Sequence, residues 1–226
     1  MVFLMQQYFS RLTVLGLLAV ASTTAFAVAA PTAELKVTGQ IVPGACKINV
    51  PHGADYGNVL VAKLATDKTT PLSEQDVPFT IACDADAKLA LSVVDNKTGT
   101  APAGLGAGNT ILGVSAPPDA NFFGLGTSNS KNIGGYAVQL KNVTVDSAAT
   151  DVLDSKDRTT WTKSANALLD PAKSVSWATA GTTNPLAGKA IAGTLAVQAV
   201  IDKGSDLDLT NQIMLDGSAT LTVDYL

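Results

Sequence analysis

The sequence predicts an all-β protein built as a sandwich of short strands, and three observations carry this prediction. Segments in which apolar and polar residues alternate recur along the chain, and a period of two is typical of a half-buried strand. Nineteen glycines and ten prolines among the 226 residues separate these segments with turns. Evidence for helices is thin, since only residues 161–169 show a helical pattern, which predicts two turns ending near Asp170-Pro171.

The alternating segments follow one another along the whole chain. Strands are predicted over residues 33–41, 46–50, 77–83, 89–93, 135–146, 174–179, 195–201 and 219–225. The alternation shifts by one residue near Asn142, which predicts a β-bulge there. Residues 96–132 and 147–188 lack clean alternation apart from the short strand already named, and we interpret both as elaborated loops of a single domain.

The first 29 residues have the pattern of a secretory signal peptide. Arg11 precedes an apolar run from Leu12 to Val20, and small residues follow it. The run is shorter than the roughly 20 apolar residues that cross a membrane. Cleavage is predicted after Ala27 or Ala29, with Ala29 preferred. The mature chain then divides into an N-terminal segment, residues 30–42, and a domain, residues 43–226.

Composition argues against several classes of function. The net charge of −4 and the low charged fraction of 15% leave no basic face for nucleic acid. One histidine, His52, and two cysteines cannot build a four-ligand zinc site. No sharp catalytic motif is present, so we expect neither an enzyme nor a metal or other cofactor. In a secreted chain, Cys46 and Cys83 most simply form one disulfide.

The N-terminal segment has to bury an apolar face. Leaving Leu35, Val37 and Ile41 in water would forgo about 1.5–3 kcal/mol for each side chain. This segment can pack into the sandwich of its own chain, or it can insert into another molecule as a donated strand. Both possibilities are open from the sequence.

Four segments in order resemble the pilins of the chaperone–usher class, the fimbrial subunits of Gram-negative bacteria. Residues 35–46 resemble the pilin donor segment that runs into the first cysteine, and residues 79–83 resemble the strand of the second cysteine. Residues 123–126 with 133–140 resemble the central pilin strand. Residues 217–226 resemble the C-terminal strand with its penultimate tyrosine, here Tyr225.

The resemblance implies an incomplete immunoglobulin-like sandwich with an N-terminal donor strand. In such subunits the missing last strand leaves a groove, which a periplasmic chaperone fills before the next subunit's N-terminal segment replaces it. An outer-membrane usher is the further partner. The implied donor residues are Ala33, Leu35, Val37, Gly39 and Ile41. The implied groove and chaperone contacts are Leu221, Val223, Tyr225 and Leu226.

The expected function is therefore that of a structural subunit of a surface fimbria, exported through the periplasm, which polymerises by donor-strand exchange and supports adhesion. One alternative is a tip-like adhesin or carbohydrate-binding module, whose long loops would hold a host receptor or glycan. Trp161 and Trp177 lie in or beside the second loop, where they either stack on sugar rings or pack internally. The other alternative is a periplasmic enzyme on a β scaffold, which the single histidine disfavours.

Overall fold

The structure, a computed structural model, describes residues 33–40 and 45–226. The chain divides into two units, Met1–Ile41 and Val42–Leu226. In the first unit, residues 33–40 form neither helix nor strand and are exposed. The predicted signal peptide lies outside the described residues, and so does Ile41 of the predicted donor segment.

The second unit consists of strands and loops, which confirms the all-β prediction. Its described residues, 45–226, form fourteen strands: β1 (Cys46–Asn49), β2 (Thr70–Pro71), β3 (Gln75–Asp95), β4 (Thr110–Ile111), β5 (Val114–Ser115), β6 (Phe123–Gly124), β7 (Thr127–Ser128), β8 (Lys131–Asn132), β9 (Gly134–Val145), β10 (Ala148–Ser155), β11 (Thr162–Lys163), β12 (Ser174–Thr179), β13 (Ala187–Ile201) and β14 (Ala219–Tyr225). Three single turns of 3-10 helix lie at Val61–Lys63, Asp119–Asn121 and Gly204–Asp206. The described residues contain no α-helix, and none of their helices is long and apolar enough to cross a membrane.

Five strands close into an antiparallel barrel. They pair in the order β3-β12-β10-β9-β13, and β13 pairs back with β3. The remaining strands of this sheet lie outside the ring: β1 and β14 pair with β3, β2 with β13, β6 with β9 and β11 with β10. Strands β4 and β5 form one separate hairpin, and β7 and β8 form another.

Strand β3 pairs with two of the outer strands, β1 and β14, at different parts of its length. Its first part pairs with β1, where Cys83 is the register partner of Cys46, and its last part pairs with β14, where Asp95 is the partner of Ala219. Between these parts the register against β13 shifts, and residues 84–86 are exposed. This irregularity explains why the sequence pattern predicts two strands, 77–83 and 89–93, where the structure has one.

The core fills the barrel with the apolar members of the alternating segments. Its largest fully buried side chains include Trp177, Phe79 and Phe123. A second, smaller cluster lies around Leu105, Ile111, Leu112 and Phe122, and includes Ala137, Ala196 and Val200 of β9 and β13. Strand β13 is therefore buried on both faces over part of its length, as its nearly continuous apolar sequence requires.

Two local predictions have opposite outcomes. The bulge is confirmed, because Lys141 pairs with Thr194 and Thr144 with Ala192, so two residues of β9 oppose Gly193. Asn142 adopts a φ of +52° within this bulge. The helix at residues 161–169 is wrong: Thr162 and Lys163 form β11, and the N–H of Leu169 donates to the carbonyl of Val138. These residues run along the barrel, and pairing with it replaces the local helical preference.

The second predicted loop is also wrong in part. Residues 147–188 contain the eight-residue strand β10 as well as β11 and the predicted β12. β10 pairs with β12 over six residues and is one of the five strands that close the barrel.

The predicted disulfide is confirmed. Cys46 and Cys83 are joined across β1 and β3, 37 positions apart in the sequence. A disulfide is typical of proteins outside the reducing cytoplasm, so this bond indicates an extracytoplasmic protein.

Candidate functional site

Two outer strands each leave one edge without a strand partner in the described part of the chain. β1 pairs only with β3, and β14 pairs only with β3, at the other end of that strand. An unpaired edge presents backbone N–H and C=O groups that another strand can bind. The two edges lie on either side of an apolar groove, which is the candidate functional site.

The first part of the groove, which we call the upper pocket, has a volume of about 300 Å³. Its floor includes Val77, Val93 and Leu195, which belong to the buried core. The residues that line it are Ile48, Val50, His52, Gly53, Ala54, Val77, Val93, Val138, Leu169, Leu195, Val197, Ala219 and Leu221. The core of the second unit therefore opens to the surface between β1 and β14.

The second part, which we call the lower cleft, has a volume of about 360 Å³ and shares Ala54 with the upper pocket. Two stretches without a regular strand, residues 54–64 and 207–215, supply most of its walls. Tyr56, Leu64, Leu207, Ile213 and Leu215 are half-buried there and pack against the main core. The groove thus continues past the ends of β1 and β14 along the chain segments that adjoin them.

Hydrogen bonds hold the first wall in place. The Tyr56 hydroxyl donates to the carbonyl of Val197 at 3.1 Å and accepts from the N–H of Ala199 at 2.9 Å. Burial raises the pKa of Tyr56 above its ordinary value, so the hydroxyl keeps its proton near neutral pH.

The second wall is fixed at both of its ends. Asn129 of the β7–β8 turn donates to the carboxylate of Asp208 at 2.7 Å. Hydrogen bonds from Thr210, together with this one, hold the pKa of Asp208 below its ordinary value. At the other end, the N–H of Asp216 donates to the carbonyl of Leu125. The wall between these points forms no strand and carries Ile213 and Leu215 into the groove.

The groove is closed at one end, beyond the upper pocket. There the N–H of Cys46 donates to the hydroxyl of Tyr225 at 2.8 Å. The N–H of Leu226 donates to the carbonyl of Lys88 and holds the end of the chain nearby. We call this the closed end.

The structure places the predicted groove residues as follows. Leu221 lines the upper pocket and is half-buried, and Val223 is half-buried against the core. Tyr225 and Leu226 lie at the closed end and are 52% and 44% exposed. The lower cleft is not among the predicted groove residues, although Leu207, Leu209, Ile213 and Leu215 carry a broken period-two signal that could have indicated it.

The predicted donor segment is exposed in the structure as far as it is described. Leu35 and Val37 are both 88% exposed, and Ala33 and Gly39 are exposed as well. These residues have no strand conformation in the isolated chain. The alternating apolar side chains of this segment are therefore exposed to solvent in the isolated chain.

The structure also places the residues that bear on sugar binding and on metal binding. Trp177 is fully buried in the core, so its ring cannot stack on a sugar, and Trp161 is half-buried. His52 is exposed at the rim of the upper pocket. In the part of the chain that the structure describes, no three His, Cys, Asp or Glu side chains form a group that could hold a metal ion.

Comparison with known proteins corrects the family assignment. A family described as "Protein of unknown function (DUF1120)" matches residues 35–137 of the chain. The chain is also similar to Protein GltF of Escherichia coli strain K12, with 27% identity over 242 residues, which cover 92% of this chain and 94% of that protein. The family that matches is not a pilin family, so the identification of the chain as a chaperone–usher pilin is wrong.

Proposed function

We propose that this protein is a non-catalytic structural subunit of a surface fibre, in which residues 33–41 of one copy complete the groove of another as a donated strand. One observation carries the proposal: the core opens between two strand edges that have no partner strand within residues 33–40 and 45–226, in a chain that also exposes an alternating apolar segment. Strand donation between copies would fill the groove and would bury the apolar face of the segment.

The energetic argument rests on burial and on backbone pairing. Moving the exposed side chains of Leu35 and Val37 into the groove is worth about 1.5–3 kcal/mol each. The groove also offers two strand edges whose N–H and C=O groups can pair with a strand laid between them, the binding mode called β-augmentation. Polar residues that alternate with the apolar ones, such as Lys36 and Thr38, would then face water.

In this proposal the five barrel strands and the outer strands of the second unit together correspond to an immunoglobulin-like sandwich that lacks one strand between β1 and β14. A subunit with such a groove is at risk before assembly, because its core is open to water. We infer that a periplasmic chaperone first occupies the groove along β14, with contacts at Leu221, Val223, Tyr225 and Leu226. An outer-membrane usher would then deliver the subunit to a fibre at the cell surface. This role concerns assembly and adhesion and makes no claim of membership in the pilin family.

The test uses the full chain with one substitution in the donor segment. Val37→Arg places a charge on the face that enters the groove, whereas Thr38→Arg places the same charge on the opposite face. Each chain is exported to the periplasm, extracted and run on an unheated denaturing gel. The original chain and Thr38→Arg should give ladders that collapse on heating, and Val37→Arg should run as a monomer.

Two outcomes of this experiment would contradict the proposal. If Val37→Arg forms the same ladder as Thr38→Arg, the segment is not the donated strand. If no chain forms a ladder and all remain stable monomers, the groove does not drive assembly, and the alternative of glycan binding by the loops becomes the one to screen.

A further inference from the structure

An exposed apolar patch lies at the open end of the groove. Leu60, Val61 and Met214 are 61%, 51% and 68% exposed. Val61 and Met214 line the lower cleft, and Leu60 directly precedes Val61. We call these three residues the end patch. Apolar side chains grouped in this way around the mouth of a groove mark a surface that another protein covers.

One end of the groove is closed by a hydrogen bond, and the other end opens through the lower cleft. At the closed end, the hydrogen bond from the N–H of Cys46 to the hydroxyl of Tyr225 joins β1 to β14. A strand that finishes in a free terminus can stop beneath this contact. The opposite end of a donated strand continues into a folded domain, and the lower cleft is the end of the groove at which that continuation can leave. The end patch borders this exit.

The length of the connection fixes how near the folded domain must lie. Four residues, 42–45, separate Ile41 from Cys46, where β1 begins. Even fully extended, these five steps span about 18 Å. A copy that donates residues 33–41 therefore holds its own folded domain close to the mouth of the lower cleft.

We propose that the end patch is a second contact between consecutive subunits, covered by the folded domain of the copy that donates the strand. This inference rests on the proposed function, because it takes the strand donation as given. It adds a domain-to-domain surface that is separate from the groove and that fixes the angle between neighbours. Two subunits joined by the strand alone would pivot on the connection, and two joined at the end patch as well would not.

Met214 is itself the probe for this contact. The chain has three methionines, Met1, Met5 and Met214, and removal of the predicted signal peptide leaves Met214 alone. Peroxide converts an exposed methionine to its sulfoxide, and covering the side chain slows that reaction. The rate is measured by mass spectrometry in three samples: polymer of the original chain, the Val37→Arg monomer, and that monomer with a saturating peptide of residues 30–42.

The peptide sample separates the strand from the folded domain, since the peptide fills the groove but brings no domain. Met214 should oxidise fastest in the free monomer and at least about tenfold more slowly in the polymer than in the peptide-filled monomer. Equal rates in the polymer and in the peptide-filled monomer would overturn the inference while leaving strand donation intact. The gel ladder of the polymer reports strand donation independently.

A pair of substitutions gives a second readout. Leu60→Asp places a charge in the end patch, and Ala62→Asp places it on an exposed neighbour that does not line the lower cleft. Both chains should form ladders. Fibres of Leu60→Asp should bend more in electron micrographs than fibres of Ala62→Asp, and equal stiffness in the two would contradict the proposed contact.

Discussion

Tyr56 shows how one residue can hold a wall that has no strand pairing of its own. It lies in a stretch without regular structure, yet its hydroxyl bonds to both Val197 and Ala199 of β13. A strand would use a row of backbone bonds to fix its position, and here two bonds from one side chain replace part of that row. The position of the first wall of the lower cleft therefore depends in part on this hydroxyl group.

Replacing that hydroxyl tests the dependence. Tyr56→Phe keeps the ring but leaves the N–H of Ala199, a fully buried residue, without its acceptor. An unsatisfied buried donor costs about 1–3 kcal/mol, so the midpoint of urea unfolding should fall accordingly. Thr182→Val is the control, because it removes an exposed hydroxyl that bonds only within its turn, and it should change stability by less than about 0.5 kcal/mol. Equal midpoints for the two variants would show that Tyr56 does not anchor the wall.

At the scale of the element, the alternating pattern predicts those strands whose two faces meet different surroundings. β14 alternates from Leu221 to Tyr225, and the shift near Asn142 locates the bulge of β9. β10 was missed because its apolar residues, Val152 and Leu153, are adjacent. Its pairing with β12 and the barrel makes it a strand, and no local pattern reports pairing with distant residues.

The sequence predicts the part of the groove along β14 and does not predict the lower cleft. The sequence pointed to the donor segment and to β14, since both alternate cleanly. The lower cleft depends on residues 54–64 and 207–215, which come together only because the barrel places both stretches along one side. Such proximity is a property of the topology, and the resemblance to pilins suggested a groove without supplying its true extent.

β1 is a short element that relies on a covalent bond. It makes four register pairs with β3, one of which is the pair Cys46 and Cys83. Replacing both cysteines by serine removes a cross-link between residues 37 positions apart. In the chain-entropy model this lowers the free energy of unfolding by about 3–4 kcal/mol. The denaturation midpoint should fall by the matching amount, and the ladder should weaken because β1 forms one edge of the groove.

The original chain under reducing conditions is the control for the loss of the cysteines themselves. It should unfold at the same denaturant concentration as the double variant. A double variant that unfolds together with the oxidised original chain would show that strand pairing alone holds β1.

At the scale of the whole second unit, some strand edges are protected against pairing with other chains and some are not. The edges without protection lie at the groove. Most long strands are paired on both sides within the closed barrel. β2 and β11 are also edge strands, but each has only two residues, and β2 contains Pro71. Short edges and proline discourage pairing with other chains. The edges of β1 and β14 are longer, at four and seven residues, contain no proline, and border the groove.

In the proposed assembly, a peptide that carries the donor segment but no folded domain would fill the groove at the end of a fibre and stop its growth. A synthetic peptide of residues 30–42 should bind the groove at the end of a growing fibre and shorten the ladder as its concentration rises. The same peptide with Val37→Arg is the control, because a charge on the apolar face costs too much to bury, and it should leave the ladder unchanged. Equal shortening by both peptides would indicate a non-specific effect, and no shortening by either would show that fibres grow through a surface other than the groove. A head-to-tail interface of this kind does not close on itself, so its length is set by the supply of subunits and by such caps.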